Sequence, residues 1–396
     1  MKRFVAIADC AILLTLALLF LSCASTKGRA LIHWDANVKD YKWLPFREIE
    51  KGDNVRLFEE ALDEKLRQKL LEDLEFSDMK KMLKKTRTQA VIIVQDDKIL
   101  LEEYGAKNCR DSIVTSFSVA KSINSAMIGV LIDSGKIKSE NAPITDYLPE
   151  LLARDQRFGK ITIKNLLNMS SGIVYEETPS RRMDNTETYY NPNLRNLALT
   201  NTLIKEDAGR HFLYNNYNPI LLGLIIERVT GQSVSEFLSG AIWSKIGCEQ
   251  NATWSLDSKK DSFEKMESGI NTTALDFVRF ACLYRDGGAA GGKQVISKEW
   301  IEKSIASENR EAEYYSDHWG EDFFSHGVSY GYGWYTLKKN NNSGRAADFF
   351  GIGNKGQIVY ISPASNMVMV RFGEQNIISL WKWIEAFHDI GNKPRP

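Results

Sequence analysis

Apolar and polar positions along this chain fall into blocks whose period changes from one segment to the next. Residues 56–85 set Leu57, Leu62, Leu66, Leu70, Leu74 and Met82 among many charges, a spacing of three to four or so that predicts amphipathic helix. "AVIIVQDDKILLEEYG" (90–105) holds two apolar runs broken at Asp96-Asp97, which predicts two strands joined by a turn. From 118 to about 250 the pattern is mostly helical, over 118–134, 162–169, 217–230 and 233–247, with Gly231 placed to cap the third. Near the end, "GQIVYIS" and "MVMVRFG" predict a second strand pair around a turn containing Pro363, and "NIISLWKWIEAFHDI" predicts a closing helix. Residues 24–55 are irregular and polar and suit a tether or wrap-around arm.

Strands at both ends with helices between them imply an α+β fold. One sheet is assembled from distant parts of the chain, and a helical lobe is inserted in its middle. The division this suggests is a targeting segment at 1–23, a tether and helical arm at 24–85, and a catalytic-type unit at 86–390 with its helical lobe at about 116–264.

Composition narrows the function classes. The 396 residues are 43% hydrophobic and 26% charged, and Lys+Arg and Asp+Glu each number 51. Zero net charge gives no reason to expect nucleic acid as a partner. His33, His211, His318, His326 and His388 have no ligand-like spacing, and no CxxC pair or HExxH occurs, so neither a metal nor another cofactor is expected. At the N-terminus, Lys2 and Arg3 precede the apolar run at 10–21, too short for a spanning helix of roughly 20 residues. Ser22-Cys23-Ala24 follows, and the segment resembles a bacterial lipoprotein signal in which Cys23 would carry lipid as the new terminus. Phe20 stands where leucine is usual, and Asp9 sits early in the apolar region; a plain secretory signal is the alternative. Export is expected either way, with membrane contact only through the lipid. Cys109, Cys248 and Cys282 are too few and scattered for a disulfide framework and read as small core residues.

Candidate chemistry centres on "TSFSVAKSINSAM" (115–127). Ser-x-x-Lys occurs at Ser77–Lys80, Ser118–Lys121, Ser262–Lys265 and Ser379–Lys382, so the pattern alone decides nothing. Only Ser118 follows a strand-like region and opens a helix with apolar lower turns. A separation of three places both side chains on one helical face. A serine hydroxyl needs a neighbouring base, and a lysine of ordinary pKa ~10.4 must be perturbed to act as one. Ser118 lacks the glycines of a GxSxG elbow and no histidine is obviously its partner. The alternative for Ser118 is a plain first-turn residue.

"HFLYNNYNPILLGLIIERVTG" (211–231) adds Tyr214-x-Asn216 in a polar turn before an apolar helix; a second Tyr-x-Asn, Tyr189–Asn191, has no helix directly behind it. Together these motifs resemble the serine β-lactamase and penicillin-binding superfamily, in particular its class C-related esterases, D-alanine carboxypeptidases and 6-aminohexanoate-dimer hydrolases. The resemblance spans roughly 85–385 and includes "DYLPELL", "ITIKNLLNMSSGI", "TTALDFVRFACLYRDGG", "GYGWYTL" and "GNKGQIVYISP". It implies an antiparallel sheet flanked by helices plus an all-helical lobe, with the site between them. It also implies that Ser118 attacks a carbonyl while Lys121 and Tyr214 handle the proton. Asn216 would bind substrate, and the backbone N–H groups of Ser118 and Gln357 would form the oxyanion hole. Gly356 would permit close approach of the strand, and Tyr175, beside Ser170-Ser171-Gly172, would touch substrate. Trp319, Tyr330, Tyr332, Trp334 and Tyr335 are either pocket or core. The family's third motif, Lys-Thr-Gly or His-x-Gly, is here "GNKGQ", with Asn354 where a cation is usual. That departure favours a small linear amide or ester substrate over a β-lactam. The alternatives are D-alanyl-D-alanine carboxypeptidase or class C-type β-lactamase activity, and, from another class, a catalytically silent cell-wall-binding module.

Overall fold

The computed structural model describes residues 25–176, 183–306, 313–314, 325–337, 347–375 and 377–392. Cys23 and Trp319 lie outside them. An eight-stranded sheet dominates. Its strands are β1 (Glu59–Glu60), β2 (Thr88–Gln95), β3 (Lys98–Tyr104), β4 (Val328–Tyr330), β5 (Tyr335–Leu337), β6 (Phe349–Gly353), β7 (Gln357–Ser362) and β8 (Met367–Gly373), in the order β4-β5-β6-β7-β8-β2-β3-β1. All pairs are antiparallel except β1 with β3. The two expected hairpins therefore sit side by side through β8 and β2, though about 270 residues apart in sequence. Asp96 and Asp97 both take positive φ, the geometry of a tight two-residue hairpin turn.

The period of two sorts the strands' side chains onto two faces. Ala90, Ile92 and Val94 of β2 join Val359, Ile361, Val368 and Val370 in the larger core. There they face helix α7 (Ala274–Arg285), which packs on β7, β8 and β2. Val91 and Ile93 join Ile358, Tyr360, Met367 and Met369 in a second core. Helices α2 (Glu64–Asp73), α3 (Met79–Lys85) and α8 (Leu380–Gly391) cover that side through Leu70, Met82, Trp383 and Phe387. Each fully buried aliphatic here contributes about 1.5–3 kcal/mol of transfer free energy.

The helical lobe contains α4 (Ala120–Asp133), α5 (Asp184–Tyr190) and α6 (Tyr217–Thr230). Helix α6 is buried along most of its length and ends at Gly231, φ 69°, whose N–H reaches the Glu227 carbonyl at 2.8 Å. A four-stranded antiparallel sheet, which the hydrophobic pattern did not disclose, orders Phe46–Ile49, Ala252–Ser255, Ile270–Thr273 and Ile113–Thr115. Its strands are three or four residues long, too short to show periodicity. Residues 24–55, expected as an irregular tether or wrap-around arm, pack on α5 as helix α1 (Thr26–His33) and continue into the strand Phe46–Ile49. Hydrogen bonds to partners far away in sequence order this polar segment.

Candidate active site

The strand Ile113–Thr115 runs into a tight turn, Phe117–Val119, and then directly into α4. Ser116 is fully buried; its N–H donates to the Ile270 carbonyl at 2.8 Å and its Oγ accepts from the Ile270 N–H at 3.2 Å. The chain must then turn sharply, and Phe117 takes φ 41°. A non-glycine residue held there costs on the order of 1–3 kcal/mol, a strain typical of functional elbows. Ser118 follows at once. Lys121, 3% exposed, donates from Nζ to Ser118 Oγ at 2.9 Å and to the Glu267 carbonyl at 3.1 Å. One turn of helix thus holds nucleophile-type and base-type groups in hydrogen-bond contact.

Two glycines let the sheet come close enough to fix this turn. A Cβ on Gly333 would lie 2.5 Å from the Lys121 carbonyl, and one on Gly353 would lie 2.4 Å from the Ser116 carbonyl. Ser122 Oγ donates to the Gly333 carbonyl at 2.7 Å, and Asn124 Nδ2 donates to the Met266 carbonyl at 2.8 Å. The motif segments "GYGWYTL", through Gly333, and "GNKGQIVYISP", through Gly353, therefore serve as the bed of the Ser118 turn.

Tyr214 arrives from the segment before α6. Its ring centroid is 4.8 Å from Lys121 Nζ and meets the Tyr330 ring edge-to-face at 6.3 Å. Asn216 sits at the start of α6 and donates from Nδ2 to Tyr175 Oη at 2.8 Å. Tyr175 is buried, and its hydroxyl also meets Asn185 Oδ1 at 3.2 Å and Thr188 Oγ1 at 3.1 Å. Its hydroxyl holds Asn216 and α5.

The turn Asn354–Gly356 joins β6 to β7, with Lys355 at φ 62° and Gly356 at φ 86°. The Gln357 side chain is fully buried; Nε2 donates to the carbonyls of Asn354 (3.0 Å) and Gly373 (2.7 Å), and Oε1 accepts from the Gly373 N–H (3.1 Å). Only the backbone of Gln357 is therefore available for the expected oxyanion role. Arg371 of β8 braces the same turn, donating to the carbonyls of Lys355 (3.1 Å) and Gly356 (2.6 Å), besides Thr86 (2.8 Å). Burial pushes its guanidinium down to about 9, and its acceptors are neutral oxygens.

A cleft of about 180 Å³ gathers Ser118, Asn216 and Asn354. It is also lined by Trp34, Asp35, Tyr189, Tyr190, Glu267 and Ser268, none of which the sequence reading singled out as site residues. Tyr189 belongs to the second Tyr-x-Asn, the copy with no helix directly behind it. Its hydroxyl donates to Asp40 Oδ2 at 2.7 Å; burial, then the Asp40 charge, holds its pKa well above the usual tyrosine range. No local pattern could have flagged Trp34 or Glu267, because what places them in the cleft is packing between distant segments.

The other candidates fall elsewhere. Ser77 and Lys80 are exposed, and Ser379 caps α8 through the Trp381 N–H. His211 pairs through Nδ1 with Glu206 Oε2 at 2.6 Å. Tyr330, Tyr332 and Trp334 are core residues. Cys248 and Cys282 are buried as expected, whereas Cys109 is exposed. Among the described residues, no three His, Cys, Asp or Glu side chains converge to hold a metal ion.

The family model "Beta-lactamase" matches residues 76–376, about three quarters of the chain, including Ser118, Lys121, Tyr214, Asn216 and the Asn354–Gly356 turn. The chain belongs to the beta-lactamase family. Within that family it is a hydrolase, and its fold is the β-lactamase/transpeptidase type. A 6-aminohexanoate-dimer hydrolase of Paenarthrobacter ureafaciens is 29% identical over 312 residues, covering 74% of each chain. A Bacillus anthracis structure provisionally named a 6-aminohexanoate-dimer hydrolase superposes with TM-score 0.71 at 22% identity, covering 89% of this chain and 91% of that one. A class C beta-lactamase superposes with TM-score 0.60 at 15% identity, covering 84% and 97%.

Proposed function

We propose that this hydrolase cleaves a linear amide or carboxylic ester through an acyl-enzyme on Ser118. The observation that carries the reading is the 2.9 Å hydrogen bond from buried Lys121 Nζ to Ser118 Oγ. In the proposed cycle Lys121 and Tyr214 take the Ser118 proton and deliver it to the leaving group. Oxygen of the tetrahedral intermediate is held by the backbone N–H groups of Ser118 and Gln357, where one lost donor typically costs ~3 kcal/mol. Asn216 and Asn354 hydrogen-bond the substrate; Tyr175 orients Asn216.

Two features favour a linear substrate over a β-lactam or D-alanyl peptide. The cleft carries neutral Asn354 where related enzymes place a cation that attracts a carboxylate. The neighbouring Lys355 ammonium is turned to Asp35. The relative named for the 6-aminohexanoate dimer points the same way. A panel of p-nitrophenyl esters, a cephalosporin chromophore, D-Ala-D-Ala peptide and 6-aminohexanoate dimer tests this. Fast cephalosporin turnover without ester or linear-amide cleavage refutes the ordering. A protein with intact folding that turns over none of them, and whose Ser118 takes no phosphonate, is the silent binding module.

The protein is also proposed to be exported and anchored by lipid on Cys23, on the strength of "LSCAS" closing a short apolar run. Mass spectrometry of the N-terminus after native expression decides: an unmodified terminus downstream of Cys23 removes the anchor.

A further inference from the structure

The segment ahead of the β-lactamase match reaches the cleft itself. Helix α1 ends at Trp34, whose N–H donates to the Ala30 carbonyl at 2.8 Å and whose φ is 60°. Trp34, Asp35 and Ala36 then line the cleft opposite Ser118, Asn216 and Asn354. Trp34 is 84% exposed, and Leu31 (73%) and Ile32 (50%) on the last turn of α1 are exposed as well, whereas Val38 and Asp40 beyond it are buried. Thr26 Oγ1 donates to Glu187 Oε2 at 3.1 Å, and Arg29 reaches the Tyr190 and Asp257 carbonyls. The His33 ring stacks on Trp43 at 3.8 Å, and Asp40 accepts from the Trp43 indole at 3.0 Å and from Tyr189. Asp35 pairs with Lys355 on the turn that carries Asn354. A large apolar ring is thus held out of every core, on a left-handed residue, at the mouth of the cleft. An apolar ring this exposed beside a cleft gains burial when a ligand enters it.

Taking Ser118 as the nucleophile, we infer that Trp34–Ala36 form a recognition wall that contacts the part of the substrate remote from the scissile carbonyl. Trp34, with Tyr189 and Tyr190, offers an aromatic surface to an extended apolar chain. Asp35, Asn185 and Asn354 hold hydrogen-bonding groups beside it. The substrate class so selected is an amide or ester that carries an apolar group beyond its reacting carbonyl. Trp34 acts on selectivity between substrates and has no part in proton transfer.

Two alkyl fluorophosphonates, one methyl and one decyl, report this directly, since each phosphonylates Ser118 in a single step, with loss of fluoride, that intact mass spectrometry follows. In Trp34→Ala the decyl-to-methyl ratio of labelling rate constants should fall roughly tenfold, the scale of a lost apolar contact in a specificity pocket. Trp34→Phe should recover most of that ratio. An unchanged ratio in Trp34→Ala, or no recovery in Trp34→Phe, overturns the wall. If wild-type Ser118 takes neither probe, the hydrolase reading falls and the wall with it; a ratio that fails to move while both probes label removes the wall alone.

Discussion

Two buried lysines in this protein each belong to a Ser-x-x-Lys sequence and each lie under the ring of a Tyr-x-Asn tyrosine. Lys121 is 4.8 Å from the Tyr214 ring, and Lys265 is 4.2 Å from the Tyr189 ring. Both meet Glu267, but at different atoms. Lys121 donates to its backbone carbonyl at 3.1 Å, whereas Lys265 pairs with its carboxylate at 2.9 Å. The serines differ more. Ser118 Oγ accepts from Lys121, while Ser262 sits at φ 53° outside any helix and spends its hydroxyl on the Lys259 carbonyl at 2.9 Å. Lys265 therefore faces a carboxylate in a buried ion pair. Lys121 instead faces a hydroxyl and a backbone carbonyl. Spacing and burial are common to both lysines, and the partner separates them.

The largest effect that could break this contrast is catalytic. Lys121→Ala and Tyr214→Phe should each slow acylation of Ser118 by roughly 10²–10⁴-fold, and the double variant should be little worse than the poorer single. Stopped-flow labelling with a phosphonate measures it. Equal slowing in Lys265→Met, with its fold intact, would make the two sites indistinguishable. Next comes stability: Lys265→Met strands the Glu267 carboxylate in a buried position and should cost about 3–5 kcal/mol in urea unfolding. A loss below about 1 kcal/mol would show that the pair is not structural. Tyr189→Phe removes a hydroxyl bonded to Asp40 and should cost about 1.5–3 kcal/mol while acylation stays within a few-fold. Tyr214→Phe should do the opposite, so the two tyrosines sort by which quantity moves. The smallest effect belongs to Ser262→Ala, expected within ±0.5 kcal/mol of wild type and equally active. Calorimetry alongside an ester assay would expose any hidden role.

Much of the scaffold is legible because it repeats locally. The β2–β3 and β7–β8 runs and helices α4 and α6 carry their period in consecutive residues, and Asp96-Asp97 marks its own turn. Strands β4 and β5 have three residues each, too few to carry a period. The nearness of Ser118 and Lys121 follows from helical spacing alone. The three polar partners of the Tyr175 hydroxyl, on α5 and at the start of α6, have no local signature in the sequence. The arm at 24–55 looked irregular because its order comes from bonds to α5 and the Asp257 carbonyl, which have no local signature.

Sequence by itself determined which segments could be helices or strands, the single pair Ser118 and Lys121 at the head of an apolar helix, and the family these belong to. These are short-range properties, written in neighbours three or four apart. The tertiary structure alone decided which lysine meets a hydroxyl and which a carboxylate, that Arg371 braces the Asn354–Gly356 turn, and that Trp34 stands at the cleft. Each of these depends on contacts between residues many tens to hundreds of positions apart. A buried charge takes its behaviour from whatever group packing brings within about 3 Å, and no local pattern of residues encodes that.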